Sequence, residues 1–178
     1  IDQAIFGEYP ELEPFFANCR ARPVKPGFLR TCFGRYRRFQ VTDDNSQADV
    51  ERIAGNMPIQ GGIADCTSMA IKLLRHYPDR YDEAGKPKYL LVGQIHDAVL
   101  TAVRIEHLRW YREKVLPDCL TNNITIYACD LDGNRLPGRP GYHLGYESSL
   151  YKWWGQKLTY EAGASLGIEP AYLPKPKK

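Results

Sequence analysis

The chain has 178 residues, 43% hydrophobic and 12% aromatic, and carries a formal net charge of only +3. That balance supports a packed core and excludes wholesale disorder; no apolar run approaches the roughly 20 residues that span a bilayer, and no secretory pattern opens the chain. Five cysteines, odd in number and without CxxC spacing, point to reduced thiols in a cytosolic protein rather than a zinc site or a disulfide framework.

Taken in chain order, residues 4–19 mix apolar and aromatic positions with two prolines and predict short helices. Arg22 to Pro26 breaks that pattern, and Gly27 to Gln40 predicts a hairpin with Gly34 at its turn. Between Asn18 and Gln40 lie Arg20, Arg22, Lys25, Arg30, Arg35, Arg37 and Arg38 with no acidic residue. A stretch so charged attracts a polyanion whatever the net charge. Phe28, Phe33, Tyr36 and Phe39 interleave with these cations, which suits a strand pair better than a solvated helix face.

Residues 42–46 form a polar loop, and Ser46-x-x-Asp49 is a capping-box signal for a helix start. The predicted helix runs over about 47–76, with Val50, Ile53 and Met57 on one face and Ile63, Ala70, Ile71 and Leu74 on the next. Pro58 should kink it, and Gly61-Gly62 should weaken it just beyond. Arg52, Asn56 and Gln60 recur every four residues, so they share a polar stripe opposite the first apolar face. Such side chains can donate hydrogen bonds to phosphates, sugars or base edges. On spacing alone a solvent-facing helix side fits them as well.

After a polar loop over 77–88, Tyr89 to Ile95 reads as one buried strand and Ala98 to Val103 as another, with His96-Asp97 between them. Asp favours turns, and apolar surroundings penalise it without a partner. The pair is therefore either an ordinary β-turn or a rigidly presented metal ligand. Residues 104–120 predict a helix, 123–128 a short strand and 130–142 an exposed loop. Trp153-Trp154 lies in a segment over 146–158, and the terminal LPKPKK should be mobile. No internal repeat is visible. The first residue is Ile1 and the first methionine Met57, so a polypeptide trimmed or cut from something longer is expected.

Four segments together resemble family A DNA polymerases. Arg52-Ile-Ala-Gly-Asn-Met-Pro-Ile-Gln-Gly-Gly-Ile-Ala-Asp65 is similar to that family's R-x-x-x-N-x-P-x-Q-G-x-x-A-D. Gln94-Ile-His-Asp97 resembles its motif C, Q-V-H-D-E. Gly27 to Arg38 resembles G-Y-x-x-T-x-x-G-R-R-R, and Gly7-Glu-Tyr-Pro10 with Phe15-Phe16 resembles the segment before it. The matches keep the family's order and cover about residues 5–103.

The resemblance implies an α+β fold, the C-terminal part of a polymerase palm with an antiparallel sheet and the motif C hairpin, plus helices from the base of the fingers. Its implied division is 1–45 for the fingers-base helices and basic hairpin, 46–130 for the palm, and 131–178 for a divergent end. Asp97 takes the place of a carboxylate that binds two Mg²⁺ ions, one activating the primer 3′-hydroxyl and both stabilising the pentavalent phosphorus. His96 takes the place of a residue against the primer terminus. Arg52, Asn56 and Gln60 correspond to residues facing the template–primer duplex, and Arg35, Arg37 and Arg38 to a segment near DNA phosphates. Template–primer DNA and deoxynucleoside triphosphates are the implied partners, with no membrane.

Two departures qualify the match. Ala98 stands where motif C has glutamate, and no segment supplies motif A or the fingers helix. A single Asp cannot hold two Mg²⁺ ions, so the second carboxylate should come from an N-terminal polymerase polypeptide, as in a split polymerase. A phage enzyme in a bacterial host cytoplasm is the expected setting. The alternatives are a non-catalytic DNA-binding subunit, part of a single-subunit RNA polymerase, and a generic α/β domain with coincidental matches.

Overall fold

The computed structural model describes residues 6–24, 27–40, 42, 46–153 and 156–174, the side chains of Lys152 and Trp153 excepted. Helix α1 spans Leu12–Ala21 and α2 spans Gln47–Arg75. The strands are β1 (Phe28–Arg30), β2 (Tyr36–Arg38), β3 (Tyr89–Ile95), β4 (Ala98–Val103), β5 (Tyr151–Trp153) and β6 (Gln156–Lys157), and α3 spans Tyr160–Ser165. The strands form three two-stranded antiparallel sheets, β1-β2, β3-β4 and β5-β6. The chain is thus α+β. The expected break at 25–26, the loop at 43–45, Trp154 and the tail from Lys175 lie outside the described residues.

The 29-residue α2 is the axis on which the other elements pack. Ser46 caps it as expected: its hydroxyl accepts from the Asp49 N–H at 3.2 Å, and the Asp49 carboxylate accepts from the Ser46 N–H at 3.4 Å and from its hydroxyl at 2.8 Å. Two of the orphan polar groups at the helix start are satisfied this way. The helix continues through Pro58 and Gly61-Gly62 as a single element. Its buried face runs through Val50, Ala54, Met57, Gly62, Cys66, Ala70 and Leu74. Ile63, expected on that face, is exposed instead, because the small residues Gly62, Cys66 and Ala70 take the inner positions where neighbouring chain packs closely.

Against the first half of α2 lie α1 and the β1-β2 hairpin, with Cys19, Leu29, Ala54 and Met57 in one core. Gly55 leaves room for Phe16 and Arg20 of α1, which come within 4 Å of where its Cβ would sit. Against the end of α2 lies the main core, built from Leu74, Tyr89, Tyr111, Val115, Leu116 and Cys119. Tyr89 is 1% exposed. Its hydroxyl donates to the Leu74 carbonyl in the last turn of α2, and its ring lies 4.8 Å from that of Tyr111.

Residues 105–122 are helical, as expected, but irregularly so. A 3₁₀ turn at Ile105–His107 and an α turn at Leu108–Trp110 precede wide π turns at Tyr111–Val115 and Asp118–Asn122. Pro117 sits between the two wide turns. It has no N–H to donate, and its ring crowds the carbonyl four residues back, which favours local widening.

Two further segments differ from expectation. The β3 strand is not buried along its length: only Tyr89 is, while Leu90, Val92 and Ile95 are 50%, 66% and 41% exposed. One face of β3-β4 packs on the main core, between the end of α2 and the 105–122 helix, through Leu91, Val99 and Val103; among the described residues nothing covers the other. Nor do residues 123–128 form a strand. Ile126 pairs with Tyr142 and Cys129 with Arg135 as isolated bridges only, since Pro137 and Pro140 in the returning segment have no N–H to give a continuous ladder. The expected loop over 130–142 is largely exposed. Beyond it, Leu158, Ile168 and Leu173 pack on Leu108 as a small separate core.

Candidate nucleic-acid groove and hairpin tip

In β1-β2, Leu29 pairs with Arg37, Phe28 with Arg38 and Arg30 with Tyr36. Strand alternation puts Leu29 and Arg37 on one face and the other four on the opposite one. Leu29, fully buried, anchors its face on α2, so Arg37 projects along the helix. Arg35, Arg37, Arg52, Asn56, Gln60 and Gly61 line one open groove of about 360 Å³. The arginine stretch and the helix stripe, widely separated in the chain, therefore meet.

Arg38 does not join them. Its guanidinium lies over the Tyr36 ring at 5.7 Å, on the face where Arg30 stacks at 5.5 Å from the same ring. Arg35, its side chain half exposed, is tied to α2: its Nε donates to Asp65 Oδ1, and its Nη2 donates to the Gly61 carbonyl at 2.9 Å. Arg52 has a single long contact to Asp49, 3.5 Å, and is 69% exposed. Asn56 and Gln60 are exposed and make no side-chain hydrogen bond among the described residues. The groove thus presents two weakly engaged cations, Arg37 and Arg52, beside two amides with unused donors and acceptors.

At the other feature, Ile95 pairs with Ala98 and encloses the two-residue turn His96-Asp97. His96 has φ +52°, the left-handed region that a two-residue hairpin demands and a non-glycine residue enters at a cost. The Gln94 side-chain amide donates to the His96 carbonyl at 2.9 Å. Both His96 and Asp97 are exposed at the tip. Among the described residues no group of three His, Cys, Asp or Glu side chains could hold a metal ion. Asp97 is a single presented carboxylate, and the chain's described residues do not by themselves fit a two-metal centre.

Sequence reasoning passed over the Thr31–Asp65–Arg35 node. Thr31 Oγ1 donates to Asp65 Oδ2 at 2.6 Å, opposite the Arg35 contact. Asp65 stood inside a recognised motif, yet its partners lie 34 and 30 residues upstream, a separation no local pattern reveals. A second tie of this kind is Arg22, which grips Asp132 with two bonds of 2.6 and 3.1 Å and fastens the 130–134 loop to the end of α1.

No helix among the described residues is long and apolar enough to cross a membrane. Comparison with known proteins bears on the chain as a whole. The family model for DNA polymerase family A matches residues 2–130, beyond the 5–103 that the motifs alone delimited. The chain is 33% identical over 98 residues to DNA polymerase I of Caldicellulosiruptor bescii, covering 53% of this chain and 11% of that protein. It is 30% identical over 115 residues to DNA polymerase I A, chloroplastic/mitochondrial, of Arabidopsis thaliana, covering 61% of this chain and 10% of that protein. The chain spans about a tenth of the length of these relatives. With the family model matching well over half of its residues, the chain belongs to the family A DNA polymerases.

Proposed function

We propose that this chain is the C-terminal part of a DNA-directed DNA polymerase, holding the template–primer duplex in the groove of Arg37, Arg52, Asn56 and Gln60 and presenting Asp97 to a Mg²⁺ centre completed elsewhere. The observation that carries the reading is the convergence of these four side chains in one groove. Cations there neutralise phosphates, while Asn56 and Gln60 can meet the degenerate acceptors of a minor groove, which tests base-pair geometry without reading sequence.

His96 and Asp97 would stand at the primer end, Asp97 as one ligand of bound Mg²⁺ and His96 beside the terminal nucleotide. When bound, such a centre supplies the Lewis acidity for attack of a primer hydroxyl on a deoxynucleoside triphosphate. The turn's contribution is to fix where the carboxylate sits. The second carboxylate would come from an N-terminal polymerase polypeptide carrying motif A and the fingers helix. The uncovered apolar face of Leu90 and Val92 supports such a partner, since a two-stranded sheet facing only water ordinarily alternates apolar and polar positions.

The test is Asp97→Ala in the polymerase assembled from this chain and its completing segment. Loss of at least a hundredfold in primer extension is expected, about 2.7 kcal/mol of transition-state stabilisation. Extension that survives would overturn the catalytic role and leave a non-catalytic DNA-binding subunit, a second reading that Ala98 in place of glutamate favours. Comparing deoxy- with ribonucleoside triphosphates separates DNA from RNA synthesis.

A further inference from the structure

The groove is formed by two elements that share no chain continuity, so something must set the angle at which β2 meets α2. Thr31 is fully buried, and its hydroxyl is spent on Asp65. The Asp65 side chain is 13% exposed, and each of its two oxygens has a donor, Thr31 on one and Arg35 on the other. Arg35 also reaches the Gly61 carbonyl one helical turn before Asp65. A Cβ on Gly61 would sit 2.8 Å from Thr31 Cγ2 and 3.4 Å from Arg35 Nη2. The hairpin tip is therefore seated against bare helix backbone and clamped there by one carboxylate.

The tip is also internally braced. The Thr31 N–H donates to the Arg35 carbonyl at 2.8 Å, the Gly34 N–H to the Thr31 carbonyl at 2.9 Å, and Arg30 Nη1 to the Gly34 carbonyl at 3.0 Å. Residues 30–35 thus form a stiff unit, and whatever fixes Thr31 and Arg35 also fixes the strand that follows. Arg37 is two residues on.

We propose that Asp65 is a positioning residue for the groove: by holding Thr31 and Arg35 it aims Arg37 at the same ligand as Arg52, Asn56 and Gln60. This rests on the reading of the groove as the template–primer site. It reassigns Arg35 from phosphate contact to strut, since its Nε and Nη2 are already taken by Asp65 and the Gly61 carbonyl. It also predicts a sign that charge alone would reverse. An aspartate beside a phosphate-binding groove should repel DNA, so its neutralisation should tighten binding; loss of a positioning clamp should weaken it.

The experiment measures binding of a fluorescein-labelled primer–template to the assembled polymerase, across a salt series, for Asp65→Asn, Thr31→Val, Arg37→Ala, Arg52→Ala, Gln60→Ala and the Asp65→Asn/Arg37→Ala pair. Asp65→Asn is expected to weaken binding about tenfold although the net charge rises by one, with KM for primer–template rising and kcat per bound primer held within about twofold. Thr31→Val, isosteric and without the hydroxyl, should weaken it in the same direction. Arg37→Ala should lower the slope of log K against log salt by about 0.9, and Asp65→Asn should add little once Arg37 is gone. Tighter or unchanged binding in Asp65→Asn, or full additivity of the pair, overturns the proposal. If Arg37→Ala, Arg52→Ala and Gln60→Ala all bind normally, the groove reading itself fails.

Discussion

The Gln94 side-chain amide donates to the His96 carbonyl across the tip of the β3-β4 hairpin, at 2.9 Å. It braces a turn in which His96 holds a left-handed backbone, φ +52°. Such a residue stores of order 1–3 kcal/mol of strain, and glycine in its place gives back part of the relief through unfolded-state entropy. His96→Gly is therefore expected to raise the chain's stability to urea by about 1 kcal/mol while lowering primer extension in the assembled polymerase. A destabilised His96→Gly variant would show that the turn is unstrained.

Tyr89 couples that hairpin to α2. It is buried, and its hydroxyl satisfies the Leu74 carbonyl in the final helical turn, where intrahelical donors run out. Tyr89→Phe keeps the ring against Tyr111 and Trp110 but strands the carbonyl, at an expected cost of about 1–2 kcal/mol. Chemical denaturation of the variant against the parent measures it, with an unchanged m-value. A cost below a few tenths of a kcal/mol would mean that water replaces the hydroxyl.

Much of this was legible in the sequence, for reasons that differ by residue. The capping box at Ser46 and Asp49 and the turn at His96-Asp97 are local, so spacing alone placed them. The alignment of Arg52, Asn56 and Gln60 followed from helical periodicity. Burial of β3 was misjudged because an apolar run reports what a strand is built to contact, and among the described residues only one face of it finds a partner. The resemblance groups Arg38 with Arg35 and Arg37, whereas strand alternation parts it from Arg37 and Asp65 ties Arg35 to α2. That clamp was invisible, since side chains more than 30 residues apart meet only through the fold.

The uncovered face gives a prediction of its own. Leu90 and Val92 are half exposed or more, so Leu90→Thr with Val92→Thr should shift the chain's own stability by within about 0.5 kcal/mol. If a completing segment covers them, the same pair should weaken its capture at least tenfold, read by pull-down or calorimetry with a polypeptide carrying motif A and the fingers helix. Undiminished assembly would place the partner elsewhere.

At the start of α2, hydrogen bonds from the Ser46 hydroxyl and N–H hold the Asp49 carboxyl below the usual carboxylate range. A group whose folded pKa is lowered contributes stability above its unfolded value, near 3.9, and loses that contribution as pH falls through the folded value. Ser46→Ala should cost about 1 kcal/mol at pH 7 and flatten the loss of stability on acidification below about pH 4. Equal acid slopes in parent and variant would separate the cap from the titration.

The alkaline side runs the opposite way. Burial pushes the Cys119 thiol up to about 12 and the Cys19 and Cys32 thiols up to about 11, against an ordinary 9.0. A protonated thiol favoured by the fold binds its proton more tightly folded than unfolded. Its contribution is therefore complete below about pH 8.5 and falls as pH rises toward the folded value, by at most about 1.4 kcal/mol per pH unit for each thiol. Urea midpoints between pH 8.5 and 9.5, where most tyrosines, with an ordinary value of 10.0, still hold their proton, should fall steadily. Cys119→Ala should start less stable at pH 7, having opened space in the main core, yet decline less steeply over that window. If parent and variant decline in parallel, Cys119 is not among the groups whose ionisation opposes the fold.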